Sequence, residues 1–279
     1  MKSFETNTQK RPVAAIRKMR IDPTYSSERF RFIIAHTPEE KQRAFSLRHE
    51  VFHEELHYNI GEKINAPLEK DSYDQNSILC LLQHKESGMD AGCFRVVIID
   101  NKANRSPNVL PLEEYCGSSL KSSDLHPSRF PKSTICEVSR LAVHPSFRKN
   151  AKPPTGIIGE DINRICSEGG KQQSALIGLS LFLAATAIVG LSQRRHVFAM
   201  IEPKFNRLLK ASGLHFQKAG KTIDYCGYRA AYYIDQHKAE NNLPEEIVFL
   251  YYHIKEELSF QIHENSESKY YPSNLYHGE

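Results

Sequence analysis

Apolar residues along the chain alternate between the spacing of β-strands and the spacing of α-helices. The first strand-like run is Phe30–Ala35. Thr37-Pro-Glu-Glu40 then supplies a helix N-cap, a proline in the first turn and a capping-box glutamate, which predicts a helix that runs to about Leu56. Two further strand-like runs, Ile78–Gln83 and Gly92–Ile99, flank HKESGMDA, a segment typical of a hairpin loop.

The second half of the chain continues the alternation after an irregular insertion at residues 101–134, which is rich in proline and serine. The predicted elements are a strand at Ile135–Val143, a strand at Val197–Ile201, a helix at Pro203–Ala211, strand material within Ile223–Ile234 and a helix at Glu245–Ile262. This order predicts one α/β domain over residues 30–263 with a central, mixed but mostly antiparallel sheet. Residues 1–29 and 264–279 are predicted to be polar tails.

The segment Ser174–Leu191 carries no charged residue over 18 positions, which is the lower limit for a membrane span. Two glycines, two serines and a threonine interrupt its apolar character. Because a helix that is apolar on all sides is also found inside globular domains, we expect this segment to be a helix buried against the sheet.

Charge and cysteine content exclude several classes of protein. Lys plus Arg number 37 against 33 Asp plus Glu, a balance that lacks the basic excess of a nucleic-acid-binding protein. The six cysteines are far apart and form no C-x-x-C pair, which favours reduced thiols over a disulfide framework or a zinc ribbon. The N-terminal region has no apolar signal segment. We therefore expect a cytoplasmic protein without an integral membrane span.

Three arginines occupy positions that otherwise predict the protein core. Arg48 falls within the apolar arc of the first helix, and Arg95 and Arg140 lie inside strand-like runs. A buried guanidinium keeps its charge and needs carboxylates around it. The carboxylates expected to meet the arginines are Asp71, Asp74 and Glu137.

The spacing of Glu137 and Arg140 predicts an irregular strand. Residues three apart on a regular strand point to opposite faces, so both side chains reach one cleft only if a β-bulge lies between them. A buried cluster of charges is a poor route to stability, so this one favours a functional cleft. A bulge also frees backbone N–H groups that can stabilise an oxyanion.

The charge pattern resembles that of the autoinducer-synthase-like branch of the GNAT acyltransferases, over roughly residues 30–236. The resemblance rests on Arg48-x-x-x-Phe52, Asp71-x-x-Asp74, GCFRVV and EVSRLAV. The later stretch VFAMIEPKFNRLLKASGLHF and Tyr225-x-Gly-x-Arg229 are most similar to long-chain N-acyl amino acid synthases and to acyltransferases associated with PEP-CTERM/exosortase systems. The resemblance implies a GNAT-like sheet splayed between its fourth and fifth strands, with the acyl-pantetheine arm in the gap.

The same resemblance implies a reaction and a role for each matched residue. A substrate amine would attack an acyl thioester, with Glu137 as the base. Backbone N–H groups from Ser139, through Arg140 and Leu141, to Ala142 would hold the thioester carbonyl. The residues that would shape the acceptor site are Arg48, Phe52, Asp71, Asp74, Arg95 and Arg140.

The acyl donor is predicted from a departure from the GNAT pattern. GNAT enzymes that use coenzyme A usually carry [RQ]-x-x-G-x-[GA] after the fourth strand, whereas this chain has RKNAKPPTG with neither glycine. This difference favours an acyl carrier protein over coenzyme A as the donor, docked on Arg148, Lys149 and Lys152. No bound cofactor or metal is expected, the acceptor is a small-molecule amine, and peripheral membrane contact through the lipid product stays open.

Three alternatives to the N-acyl amino acid synthase remain open from the sequence. An acyl-homoserine-lactone-type synthase would share the same charge pattern. A zinc metallopeptidase is indicated by His49-Glu50-x-x-His53, which matches H-E-x-x-H but lacks the glycine of the extended motif. A non-catalytic ligand-binding module on a GNAT-like fold is the third.

Overall fold

The computed structural model describes residues 28–63, 65–99, 107–120, 124–148 and 170–266. The strands are β1 (Phe30–Ile34), β2 (Ser77–His84), β3 (Asp90–Ile98), β4 (Ile135–Val143), β5 (His196–Ile201), β6 (Gln217–Lys218), β7 (Ile223–Asp224) and β8 (Tyr228–Asp235). The helices are α1 (Pro38–His49), α2 (Pro111–Cys116), α3 (Gly170–Leu191), α4 (Pro203–Ala211), α5 (Gln236–Asn241) and α6 (Glu245–Ser266).

The strands form one sheet in the order β1-β2-β3-β4-β5-β8-β6, with β7 paired to β8 beside this path. All pairs are antiparallel except β4 and β5, which are parallel. The predicted mixed, mostly antiparallel sheet flanked by helices is therefore confirmed. The predicted tail at residues 1–29 falls mainly outside the described residues, and the tail at 264–279 does so beyond Ser266.

Two helical layers cover the two faces of the sheet. Helices α3 and α6 cover one face, here called the α3 face, where alternate residues of the strands join the largest apolar core. Helices α1 and α2 lie on the other face, here called the α1 face, over two smaller apolar clusters. Each strand therefore contributes one set of side chains to each face.

Helix α3 contains the long uncharged segment of the sequence. Leu181, Leu183, Ala184, Ala187 and Ile188 are fully buried, so the segment packs inside the domain as expected. None of the described helices has the length and apolarity needed to cross a membrane.

The first helix differs from its prediction at its C-terminal end. The capping box at Thr37 and Glu40 is formed and the α-helix ends at His49, but the next residues, Glu50–Glu55, form a π-helical turn. Leu56, predicted to lie on the apolar arc, is 39% exposed. A π-turn widens the helix and rotates the following side chains, so the arc does not continue to Leu56.

Strands β4 and β5 pair over three residues and then separate. The ladder joins Ile135 to His196, Cys136 to Val197 and Glu137 to Phe198. Beyond these pairs β4 continues to Val143 and β5 to Ile201 without a shared ladder between them in the described chain. The predicted splay between the fourth and fifth strands is therefore present.

Candidate active site

A β-bulge in β4 turns Arg140 to the α1 face. Cys93 pairs with Ala142 and Arg95 with Ser139, so two residues of β4 oppose the single residue between Cys93 and Arg95. Arg140 has a φ of 54°, a left-handed conformation that costs energy for a residue with a side chain. The bulge predicted from the spacing of Glu137 and Arg140 is therefore present, and it brings Arg140 to the same face as Arg95.

Arg48 is held by two carboxylates in the buried interior. Its side chain is 1% exposed. Its Nε bonds Glu69, and its Nη1 and Nη2 donate to the two oxygens of Asp74 at 2.7 and 3.1 Å. This bidentate geometry fixes the orientation of both side chains.

The other two arginines complete a closed network. Arg95 bonds Asp71 and lies 2.9 Å from Asp74, and its Nε donates to Ser139 Oγ at 3.1 Å. Arg140 donates from Nε to Glu69 and from Nη2 to Asp71, each at 3.0 Å. Three guanidinium groups and three carboxylates thus alternate, so the network is neutral.

Glu69 is the network residue that the sequence reasoning missed. It is fully buried and joins Arg48 to Arg140. It lies only two positions before Asp71, but an irregular segment has no periodicity that indicates which side chains turn inward.

Opposing effects act on the carboxyl of Asp74. Burial disfavours ionisation of Asp74, but Arg48 and Arg95 outweigh burial and hold its pKa at about 2.

Glu137 is not one of the three carboxylates that pair with the arginines, and this expectation was wrong. It is 2% exposed, and its Oε2 accepts a hydrogen bond from the backbone N–H of Leu112 in helix α2 at 2.8 Å. Burial raises the pKa of Glu137 to about 8, although the Leu112 N–H and the nearby Arg95 and Arg140 act in the opposite direction. Glu137 has no arginine partner because Asp71, Asp74 and Glu69 already balance the charges of the three arginines.

A cavity of about 460 Å³ passes between the splayed strands. On the α3 face its wall is apolar. The residues of that wall include Phe182, Ala185, Val189, Val197, Ala199, Ile201, Phe205, Leu209 and Leu214. On the α1 face it meets Phe52, Tyr58, Arg140 and Tyr225. Such a cavity has one end suited to an aliphatic chain and one end suited to a polar group.

The predicted site residues occupy different positions relative to this cavity. Ser139, Arg140 and Leu141 line it, as does Phe52, whose ring stacks on that of Tyr58 with 6.4 Å between centroids. Glu137 is adjacent in sequence but is not among the lining residues. The other predicted residues of the network do not line the cavity but support Arg140 through the ion pairs described above. They are Arg48, Asp71, Asp74 and Arg95.

The open end of the splay, where β4 and β5 are furthest apart, is lined by Arg148, Glu202 and Arg229. Arg148 follows β4 and pairs with Glu55 at 2.7 Å while its Nε donates to the Val143 carbonyl. The other two residues predicted to dock the donor, Lys149 and Lys152, lie outside the described residues.

Arg194 and Arg195, two further cations just before β5, lie at the closed end of the splay and not at the open end that Arg148 lines. The backbone N–H of Arg195 donates to the carbonyl of Thr134, which directly precedes β4. Because β4 and β5 are parallel, residues just before β5 lie beside the start of β4, and the strands separate at the opposite end.

The H-E-x-x-H residues form no metal-binding geometry. The π-helical turn begins between His49 and His53, and His53 Nε2 hydrogen-bonds the Ile60 carbonyl at 2.8 Å. In the described parts of the chain, no group of three or more His, Cys, Asp or Glu side chains is arranged to hold a metal ion. The geometry of the described residues therefore does not favour the zinc peptidase alternative.

Comparison with known families and structures gives the same architecture. Residues 47–154 match the acetyltransferase (GNAT) domain family. No curated protein sequence is significantly similar to the chain. The family match runs from the last three residues of α1 to the segment after β4, and so includes the ion-pair network and the bulge. It confirms the predicted enzyme class, an acyltransferase.

Three solved structures share the fold at low sequence identity. The acyl-homoserine-lactone (AHL) synthase LasI has a TM-score of 0.51 at 17% identity, over 77% of this chain and 93% of its own. The CoA-dependent acyl-homoserine lactone synthase BjaI, solved with SAM and isopentyl-CoA, has 0.52 at 18%, over 81% and 89%. FeeM, an N-acyl amino acid synthase from uncultured soil microbes, has 0.50 at 14%, over 77% and 95%. Residues 47–154 of this chain therefore match the GNAT acetyltransferase domain, within a fold that acyl-homoserine-lactone synthases and an N-acyl amino acid synthase share.

Proposed function

We propose that the protein transfers a long-chain fatty acyl group from the thioester of an acyl carrier protein to the α-amine of an amino acid. The observation that carries the proposal is the cavity between the splayed strands, which has an apolar wall on the α3 face and carries Tyr58, Arg140 and Tyr225 at its α1-face end. A substrate with an aliphatic tail and a polar reacting end matches this division.

The proposed reaction forms one bond and breaks one. The amine nitrogen attacks the thioester carbonyl, the C–N bond forms, and the C–S bond breaks to release the thiol of the carrier. The negative charge that develops on the carbonyl oxygen needs N–H donors, and the edge of β4 beyond Glu137 has no ladder with β5 to occupy its backbone groups. Ser139–Ala142 is therefore the proposed oxyanion site.

The amine must lose a proton before or during attack, and Glu137 is the proposed base. Burial raises its pKa to about 8, so once ionised it is a stronger base than an exposed glutamate. Because Glu137 does not line the cavity, it takes the proton through intervening water rather than by direct contact with the amine. The neutral ion-pair network keeps Arg140 beside the reacting groups without adding net charge.

The proposed donor is acyl carrier protein because the sequence after β4 lacks the glycines that usually bind the coenzyme A pyrophosphate. Arg148 at the open end of the splay, together with Lys149 and Lys152, would contact the acidic carrier protein.

The test is expression in a bacterial host followed by mass spectrometry of the lipid extract. We expect N-acyl amino acids that are missing from a host expressing the Glu137→Gln variant at equal level. Acyl-homoserine lactones in place of N-acyl amino acids would identify the alternative synthase. Identical lipids in both hosts, combined with no transfer by the purified protein from acyl carrier protein to any amino acid, would refute the proposal.

A further inference from the structure

Among the described residues, three guanidinium groups line the cavity, and two of them hold carboxylates at short ion-pair distances. Arg140 holds Glu69 and Asp71 at 3.0 Å each. Arg148 holds Glu55 at 2.7 Å and the Val143 carbonyl at 2.8 Å. These lengths are those of strong charge-assisted hydrogen bonds, so both groups are held firmly by other residues of the chain.

Arg229 is the third, and all of its contacts are long. Its Nε lies 3.3 Å from the Cys226 carbonyl, and its Nη2 lies 3.5 Å from Tyr58 Oη and 3.4 Å from Glu202 Oε1. Its guanidinium carbon also lies 5.6 Å from the centre of the Tyr58 ring. The side chain is 24% exposed. A guanidinium held this loosely retains its capacity for bidentate binding of a carboxylate.

Glu202 provides the opposite charge beside Arg229, because it is the one carboxylate among the described residues that line this cavity. Its side chain is 48% exposed, and its contact with Arg229 at 3.4 Å is well beyond the 2.7–2.9 Å of a strong ion pair. The two residues thus form a weak, water-accessible pair of opposite charges at the open end of the splay.

Both residues belong to the polar side of the cavity. Along β8, Ala230 packs into the core of the α3 face and Ala231 into that of the α1 face, so Arg229 falls on the α1 face by alternation. Ile201 packs on the α3 face, and the next residue, Glu202, reaches across to Arg229. The acyl tail is assigned to the opposite face, so the ligand group that meets this pair belongs to the acceptor.

We propose that Arg229 and Glu202 form the binding site for the zwitterionic head of an amino acid, with Arg229 taking the carboxylate and Glu202 the ammonium group. This inference rests on the proposed N-acyl transfer and names the group that selects the acceptor. Binding exchanges one weak internal ion pair for two contacts of complementary charge. An amine without a carboxylate cannot contact Arg229, so the ion pair between Arg229 and Glu202 stays in place.

The experiment compares two acceptor mixtures with the purified protein and a single acyl-carrier-protein donor. One mixture holds the twenty amino acids and the other their carboxamides, and mass spectrometry quantifies the acylated products. We expect the acids to be preferred by about 10- to 100-fold, the range of a charged hydrogen-bonding contact. Arg229→Gln should remove this preference by raising the KM for the acids, with the KM of the donor unchanged.

Two further variants sharpen the test. Arg229→Lys keeps the charge without the planar fork and should retain part of the preference. Arg129→Gln, an exposed arginine outside the cavity, is the matched control and should behave as wild type. Glu202→Gln should raise the KM for acids and amides alike, since both carry the amine.

The outcomes separate this inference from the function on which it rests. Equal acylation of acids and amides by the wild type overturns the inference and leaves N-acyl transfer intact. An increase in donor KM in Arg229→Gln, with acceptor KM unchanged, also overturns it and assigns Arg229 to the phosphate of the donor. Acylation of neither mixture refutes the proposed function itself.

Discussion

Arg48 shows how one side chain can anchor a site. It lies on the buried side of α1, where an apolar residue would fill the same space, and it bonds two carboxylates from the irregular segment that precedes β2. Without Arg48, Glu69 and Asp74 keep only one guanidinium partner each, Arg140 and Arg95 respectively.

We predict that Arg48→Met lowers the free energy of unfolding by about 3–5 kcal/mol, because the buried carboxylates lose their balancing charge. Arg48→Ala should lose more, since it adds a cavity. Arg43→Met is the control on the same helix. It removes an ion pair with Asp90 in which the arginine side chain is 36% exposed, and should cost less than about 1 kcal/mol. Urea denaturation measures all three, and an Arg48→Met midpoint equal to wild type would contradict the prediction.

Glu137 should make stability depend on pH. Burial raises its pKa from 4.5 to about 8, so the folded state holds the proton more tightly than the unfolded state. The stabilising effect of the neutral carboxyl is complete below pH 4.5 and is lost as the pH rises to about 8. Glu137→Gln lacks this loss, so its stability relative to wild type should increase by on the order of a few kcal/mol between pH 5 and 9. A constant difference across this range would show that the carboxyl is not held neutral.

The same substitution tests the proposed chemistry. Turnover by the wild type should rise with pH up to about 8, as Glu137 ionises. Removal of a general base typically costs about 10²–10⁴ in rate, and Gln can still accept the Leu112 N–H bond that holds helix α2. Near-full turnover by Glu137→Gln would exclude Glu137 as the base.

At the scale of elements, helix α3 forms part of the apolar wall of the cavity. Ala185 lines it, whereas Ala184, one residue earlier, is fully buried in the core and does not. The two alanines therefore offer matched positions for testing where the acyl chain lies.

We predict that Ala185→Leu lowers turnover of a long-chain acyl donor by about tenfold or more relative to a six-carbon donor, because the added side chain shortens the cavity. Ala184→Leu should lower stability by overpacking without changing the ratio of the two donors. Rates with the two donors, measured for each variant, give the comparison. An unchanged ratio in Ala185→Leu would place the acyl chain elsewhere.

The elements also show what sequence reasoning reached. Periodicity identified the strands, the hairpin and helix α3, and the misplaced charge of Arg48, Arg95 and Arg140 identified the ionic cluster. Sequence reasoning missed Glu69, because loop residues have no periodicity. It also missed that helix α2 packs over Glu137 and donates a hydrogen bond to it. It also missed the pair Arg229–Glu202, which depends on how β8 pairs with β5 rather than on any local pattern.

At the scale of the whole molecule, the arrangement of the open end predicts how the donor approaches. Arg148 follows β4, while Arg129 precedes Phe130, whose ring packs on His196 at the closed end. We predict that Arg148→Glu raises the KM for acyl carrier protein several-fold at low salt, with a smaller effect at high salt, and that Arg129→Glu does not.

The measurement is a salt series with matched acyl-carrier-protein and acyl-coenzyme A donors. Equal use of the two donors, with no dependence on salt or on Arg148, would exclude electrostatic docking of a carrier protein at the open end.

The bulge in β4 has a consequence for insertions and deletions. Arg140 is the extra residue of the strand: without it, Leu141 would face Phe94 and Cys93 would still face Ala142, with every flanking side chain on its present face. A deletion of this one codon would therefore remove the third guanidinium and leave the alternation of the sheet intact, whereas a deletion in β4 away from the bulge would move a run of side chains to the opposite face. The charge at the centre of the site can thus be gained or lost as an inserted residue, a route that substitution alone does not offer.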